Sequence, residues 1–304
     1  MATQNADAAR WLTDARRRKL AELFDRYRSN SKAIAGTVLI GLLLAVGLLG
    51  PLFVSLEQAN ALNVANRFQP PSLAHPMGTD HLGRDILLRI VLGARISLYI
   101  GGLSVGIATA AGVPLGAAAG YVGGNVDDAI MRSMDVLMSF PPILLALTVV
   151  AVLGPSLTNA MIAIGITYIP YFARVTRSEV VSVVEEDFVE AAQALGERDS
   201  RVLFREVLPN AAAPIIVQAS ISLAFAILAA AGLSFLGLGA QPPQPSWGLM
   251  IRQSKQYLTQ APWMAIFPGL GIAATVLGFN LLGDGIRDVL DPTVSTELGA
   301  DHDE

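Results

Sequence analysis

The chain has 304 residues, of which 53% are hydrophobic and only 15% charged, with a net charge of −4 and no cysteine. About a quarter of a soluble protein is charged, and without Cys there are no disulfides, thiolate nucleophiles or Cys-ligated metals. Asp, Glu, Lys and Arg are absent from 33–56, 96–126, 136–173, 207–251 and 256–283; each gap exceeds the roughly 20 residues that cross a hydrocarbon core, which excludes a soluble enzyme, a secreted domain or a nucleic-acid binder and predicts an all-α polytopic membrane protein.

The first 32 residues form a basic tail in which Leu20, Leu23, Phe24 and Tyr27 follow i, i+3, i+4, i+7, the spacing of an amphipathic helix lying on a membrane surface. A partly ordered cytoplasmic tail is the alternative. Residues 33–56 read as a first, uncleaved span: the apolar core is too long for a signal peptide. A loop follows over 57–95, in which Thr79 or Asp80 can cap a helix start and Ile86, Leu87, Ile90 and Val91 give that interfacial helix an apolar face. His75, Asp80, His81 and Asp85 also resemble a metal cluster, but caps and turns explain the same residues, and no metal is assigned. Arg84 and Asp85 are free to pair with each other or across a subunit interface.

The second span runs from Ile96 to Tyr121 and carries Gly102-xxx-Gly106 and Gly112-xxx-Gly116-xxx-Gly120, small residues that let helices approach closely in lipid. Asp127, Asp128, Arg132 and Asp135 form an interfacial cluster with an Asp128–Arg132 helix pair. The third gap holds two spans divided at Gly154-Pro155-Ser156, with Pro170 predicting a kink or break in the second. Further spans cover Pro209–Leu236, where Gln218 and Ser222 share one face as candidate passage lining, and Pro262–Asp284. Between them 237–249 is apolar and proline-rich, the composition of a loop that stays packed near the membrane. An acidic tail ends the chain at 293–304.

Six spans put both termini on one side. With the N-terminus inside, 15 Lys and Arg lie inside and 6 outside, so the basic-residue bias selects an N-in, C-in orientation. Arg67, Arg84, Arg89 and Arg95 run against that bias. No span holds a mid-membrane ionisable residue of the kind that proton- or ion-driven carriers use. No Gly-Lys dipeptide exists, so a P-loop is absent and any ATP is hydrolysed by another chain.

The most charged inner segment, 174–209, contains Phe188, Ala191, Ala192 and Leu195 at i, i+3, i+4, i+7, followed by Gly196 at a C-terminal cap position. Asp187 and Glu190 complement the dipole of its first turn. Such a short helix with a shallow apolar stripe suits docking into a groove on a partner.

Glu190-Ala191-Ala192, Gly196 and Leu208-Pro209 resemble the EAA signature of bacterial ABC importer membrane subunits, EAA-x3-G-x9-I-x-LP, with Glu206 where Ile or His is usual. The blocks His75 to Asp85 with Arg89, Gly93-Ala94-Arg95 and Ser97; Ser234 to Gly239 with Trp247-Gly248; and Asn280 to Pro292 are similar to the C-type permeases of dipeptide, oligopeptide and nickel importers. The resemblance covers nearly all of 75–292. It implies a type I permease subunit of the bacterial inner membrane with a five-helix core over 96–292. The helix at 187–196 would couple to an ATPase through Phe188, Glu190, Ala191, Ala192, Leu195, Gly196, Leu208 and Pro209. Expected partners are a B-type permease, two ATP-hydrolysing subunits and an extracytoplasmic solute-binding protein, the last contacted through Thr79, Asp80, Gly83, Arg84, Asp85 and Arg89. ATP and Mg belong to the ATPases, and this chain holds no cofactor and has no catalytic residue. A carrier or channel working without ATP is the rival reading. An intramembrane enzyme would need a buried His, Asp or Glu constellation that no span provides.

Overall fold

The computed structural model describes residues 21–290. The basic tail up to Leu20 and the acidic tail at 293–304 lie outside the described residues. A helix over residues 21–29 (α1) keeps Leu23 and Tyr27 half-buried and Phe24 exposed. Then come α2 (Ser31–Phe53), α3 (Leu56–Asn60), α4 (Ile86–Val122), α5 (Gly124–Met138), α6 (Pro142–Leu153) and α7 (Leu157–Val184). The second half has α8 (Asp187–Ala194), α9 (Asp199–Val202), a π-helical turn at Leu203–Val207, α10 (Leu208–Asn210), α11 (Ala212–Leu236), α12 (Trp247–Ser254) and α13 (Trp263–Leu290). Among the described residues no β-strand forms; a lone bridge joins Thr79 and Asp85.

By length and composition α2, α4, α11 and α13 can each cross a membrane, and α5 with α6 makes a fifth candidate if that bent pair is one span. Two expected boundaries move. The helix predicted to begin at Ile96 begins at Ile86, so the supposed interfacial helix and the second span are one 37-residue helix. The third gap does not hold two full-length spans: α6 has 12 residues, about 18 Å, and meets α5 at 88°. Pro141 and Pro142 cause this, since neither carries the amide hydrogen a continuing helix needs. Pro170, by contrast, is accommodated inside an unbroken α7.

The most extensive helix–helix contact among the described residues is that of α4 with α7. The Ser104 hydroxyl donates to the Met161 carbonyl at 3.1 Å, Gly112 faces Ile169 and Phe172, Gly116 faces Ala173 and Thr176, and Gly120 faces Arg177 and Val180. Both residue numbers rise together, so the two helices run parallel. A methyl on Gly112 would sit 2.7 Å from the Ile169 carbonyl oxygen, and one on Gly116 would overlap the Ala173 carbonyl. The other predicted small-residue pair does not pack this way: Gly102 and Gly106 have nothing within 4 Å of that position.

At one end of the bundle α2 begins where α13 ends. Asn30 caps α2 through the Ala33 amide and also donates to Asp288, and Lys32 pairs with Asp288 at 3.4 Å. At the other end the proline-rich 237–249 packs against the helices, with the Pro245 carbonyl and the Trp247 ring beside Gly93 of α4. Trp247 is fully buried, and its indole N–H donates to the Ile90 carbonyl at 3.1 Å.

Gly116→Leu is expected to destabilise the bundle by about 1–3 kcal/mol or more through overpacking, read as a lower melting temperature in detergent. Gly102→Leu, entering open space, should leave that melting temperature unchanged.

Candidate functional site

The candidate docking helix α8 is eight residues long, too short to hold itself in water. Its support comes from a small core: Val189 is fully buried with Val180 of α7, Ala117 of α4, and Val202, Val207 and Ala211 beyond it. Asp187 and Glu190 occupy the first turn. At the other end Gly196 takes φ +79°, a conformation open to glycine at little cost. The Gly196 amide donates to Gln193 and the Glu197 amide to Ala192, at 2.9 and 3.2 Å. Those two bonds complete a Schellman ending.

The predicted stripe divides. Phe188, Ala191 and Leu195 are exposed, Leu195 by 86%. Ala192 instead packs inward beside Val189, because the helix needs one face for its own support. Glu190 and Pro209 are exposed and Leu208 is half-buried. The π-helical turn before Pro209 follows from that proline, which cannot donate to the carbonyl four residues back; the Leu208 amide bonds Leu203 instead. Two features escaped the periodicity. Val189 is the anchor, although Val among charges reads as ordinary filling, and Phe204 is 67% exposed, its only signal being an aromatic in a charged stretch.

Ion pairs fasten the same end of the bundle. The Arg177 guanidinium donates through two nitrogens to both carboxylate oxygens of Asp127, each at 2.5 Å, and Arg174 donates to Asp135 at 2.5 Å. The cluster predicted on one helix therefore ties α5 to α7, while the expected Asp128–Arg132 pair is exposed at 3.4 Å. Tyr121 donates to Asp199 at 3.3 Å, linking α4 to α9.

The block at 75–95 is built around itself. Asp80 accepts from the Leu82 and Arg84 amides and pairs with the Arg84 side chain at 2.6 Å, both side chains being at least nine-tenths buried. Asp85, not Thr79 or Asp80, caps α4 by accepting from the Leu88 amide, and it pairs with His75 at 2.8 Å. Arg84 and Asp85 thus have separate partners. Thr79 is buried, donating to the Asn66 carbonyl and accepting from the Gln69 amide, while the Trp263 indole donates to its carbonyl. Arg89 is buried and donates to Asn60 at 2.6 Å. Of the residues expected at a partner contact, Thr79, Asp80, Gly83, Arg84 and Arg89 are buried within the block and Asp85 is partly exposed.

Gln218 lines a cavity of about 490 Å³ with Ser178, Glu179 and Arg287. Ser222 does not: it is buried and accepts from the Gln218 amide group at 3.0 Å.

Residues 112–296 match the family model described as binding-protein-dependent transport system inner membrane component. The chain is 48% identical over 275 residues to the dipeptide transport system permease protein DppC of Alkalihalophilus pseudofirmus, covering 90% of each. It is 42% identical to the glutathione transport system permease protein GsiD of Pectobacterium atrosepticum, covering 90% of this chain and 91% of that one. A putative peptide transport system permease protein of Brucella suis is 43% identical over 263 residues, covering 86% of this chain and 88% of that one. Among solved structures, one of the MetNI methionine ABC transporter in inward-facing conformations matches with TM-score 0.57 and 18% identity, covering 68% of this chain and 98% of that one. At that identity the likeness concerns the fold.

Two predictions follow from the 75–95 block. Asp80→Asn leaves Arg84 buried without a counter-charge and should cost about 3–5 kcal/mol, seen as a lowered melting temperature. His81 stacks on Tyr257 at 5.3 Å, and its Nδ1 is buried with no partner among the described residues. Burial holds its pKa below the ordinary 6.5; Asp80 opposes that shift, and Arg84, Arg89 and Arg67 reinforce it. The unfolded chain therefore takes up a proton first. Stability should hold above pH 6.5 and fall as pH drops from there to the lowered native value, and His81→Gln should flatten that slope in melts across pH.

Proposed function

Because the chain belongs to the family of binding-protein-dependent transport system inner membrane components, we propose that it is the permease subunit of an ATP-driven importer of di- or oligopeptides. It is a multi-pass protein of the bacterial inner membrane, and permease subunits of this family are not ATPases. The observation that carries the coupling part of the reading is α8. Its inner face is locked to α4 and α7 through Val189, while Phe188, Ala191 and Leu195 remain outward with none of the described residues covering them.

In this reading six spans cross the membrane, with both tails in the cytoplasm. The parallel course of α4 and α7 supports six, since α5 and α6 must then carry the chain back between them. The contact between the start of α2 and the end of α13 supports termini on one side, and the basic-residue bias supports the inside. A homologous B-type permease completes the passage, with Gln218 in its lining, and one ATPase sits under each coupling helix. ATP and Mg act only in those ATPases. The solute-binding protein meets the opposite end, where Leu62, Val64 and Leu73 are exposed apolar tips around the 75–95 block.

The mechanism is mechanical. Closure of the ATPase pair pushes on the outward face of α8, and its buried face passes the displacement to the α4–α7 pair. A carrier or channel working without ATP has no use for an apolar docking face on a capped eight-residue helix.

The test is assembly. Leu195→Asp with Phe188→Asp changes exposed side chains, so folding and membrane insertion should be normal. Co-purification of the ATPase subunits should fall at least about tenfold, on the order of 1.4 kcal/mol or more, with transport lost. Gly196→Arg should do the same by spoiling the helix ending. Normal co-purification and peptide uptake in both variants would show that α8 is not the coupling helix.

A further inference from the structure

Four arginines run against the basic-residue bias, and three have partners. Arg84 pairs with Asp80, Arg89 donates to Asn60, and Arg67 lies over the Phe68 ring at 5.5 Å. Arg95 is exposed on α4, and among the described residues no acidic group lies within ion-pair distance of it.

Two grooves diverge from this side chain. One, of about 510 Å³, passes Pro51, Ile96 and Leu157 and reaches the polar Ser55 and Gln244. The other, of about 560 Å³, lies between α2 and α4, walled by Leu44, Leu48, Leu98 and Leu103. Arg95 and Tyr99 are the two residues common to both, and Tyr99 is 57% exposed. Gly102 in the second groove has open space where a side chain would stand.

The depth of the site is fixed by the packing of α2 on α4. A methyl on Gly47 would lie 3.3 Å from the Arg95 backbone nitrogen, so Arg95 is level with a residue six positions before the end of α2, about 9 Å at 1.5 Å per residue. Leu48, Leu52 and Phe53 beside it are exposed, the composition of a lipid-facing surface. A guanidinium there can extend its apolar stem towards the membrane boundary, and a tyrosine ring sits well at headgroup level. The Arg95 guanidinium thus stands at the boundary without an anion among the described residues, with apolar volume on either side of it.

We propose that Arg95 binds the phosphate of a phospholipid, whose two acyl chains occupy the two grooves, with Tyr99 beside the headgroup. The shape and charge together select this occupant: a free anion leaves both apolar grooves unfilled, and a neutral lipid tail leaves the guanidinium unmatched in a setting where a lone charge is costly. The proposal depends only on the chain lying in a bilayer, so its failure leaves the import reading untouched.

The full chain, purified in mild detergent doped with phosphatidylglycerol, tests it by native mass spectrometry. The wild type should retain one phosphatidylglycerol, with Arg95→Lys within about threefold and Arg95→Gln reduced at least about tenfold, since a lysine keeps the charge but not the fork. Tyr99 replaced by photoreactive benzoylphenylalanine should crosslink to lipid in native membranes. Equal retention by Arg95→Gln, displacement of the lipid by inorganic phosphate, or a crosslink from position 99 to another protein chain would each overturn the proposal. Melting temperatures of the variants separate lost binding from lost folding, and Arg95→Lys keeps the test open if Arg95→Gln does not fold.

Discussion

Two long helices, α4 and α7, lie side by side at a separation that glycines make possible, and they point the same way. At Gly112 and Gly116 the facing carbonyls of Ile169 and Ala173 occupy the space where any side chain would be. Between helices in lipid there is no hydrophobic push, so close backbone contact is the main source of attraction. The parallel course has a topological price, because the chain must return between them. That return is made by α5 and α6, broken at Pro141 and Pro142 and fastened to α7 by the Asp127–Arg177 and Asp135–Arg174 pairs.

The same helix pair supplies the platform for α8. Ala117 and Val180 stand near the ends of α4 and α7 and form one core with Val189. A short helix has little intrinsic stability, and here almost all of its order is borrowed from that contact. This separates its two faces: the inner face is fixed, and the outer face, with Phe188, Ala191 and Leu195, is left exposed.

Much of this was legible in the residues, and the exceptions have physical causes. Charge-free gaps located the apolar stretches because a charge is costly in hydrocarbon, but they misplaced the start of α4. Arg89 and Arg95 interrupt the pattern without interrupting the helix, since Arg89 is buried against Asn60. The EAA-like spacing located α8 and its glycine ending. Periodicity alone could not assign Ala192, because an eight-residue helix has room for two apolar faces and only the surrounding core decides which is buried. Gly102 and Gly106 have the same spacing as Gly112 and Gly116, but no described residue lies within 4 Å of where their side chains would stand; small residues permit close approach without supplying a neighbour. Asp80 and Arg84 read as candidates for a partner surface; in the fold they form a buried pair with each other, which four-residue spacing alone does not disclose.

The mechanical reading places a demand on the fold that the packing meets. A push on α8 does useful work only if the motion is not absorbed locally. Absorption would require Val189 to slip against Val180 and Ala117, but interiors are close-packed and yield little. Beyond that core the displacement reaches helices whose carbonyls already touch the facing glycines, leaving no slack in which α7 could move without α4. The bidentate Arg177–Asp127 pair carries α5 along with them. By contrast α11 meets α4 at Gly101 through the Ile227 side chain, not through its backbone. The cavity lined by Glu179, Gln218 and Arg287 lies where α7 meets α11 and α13, beside this tightly joined pair.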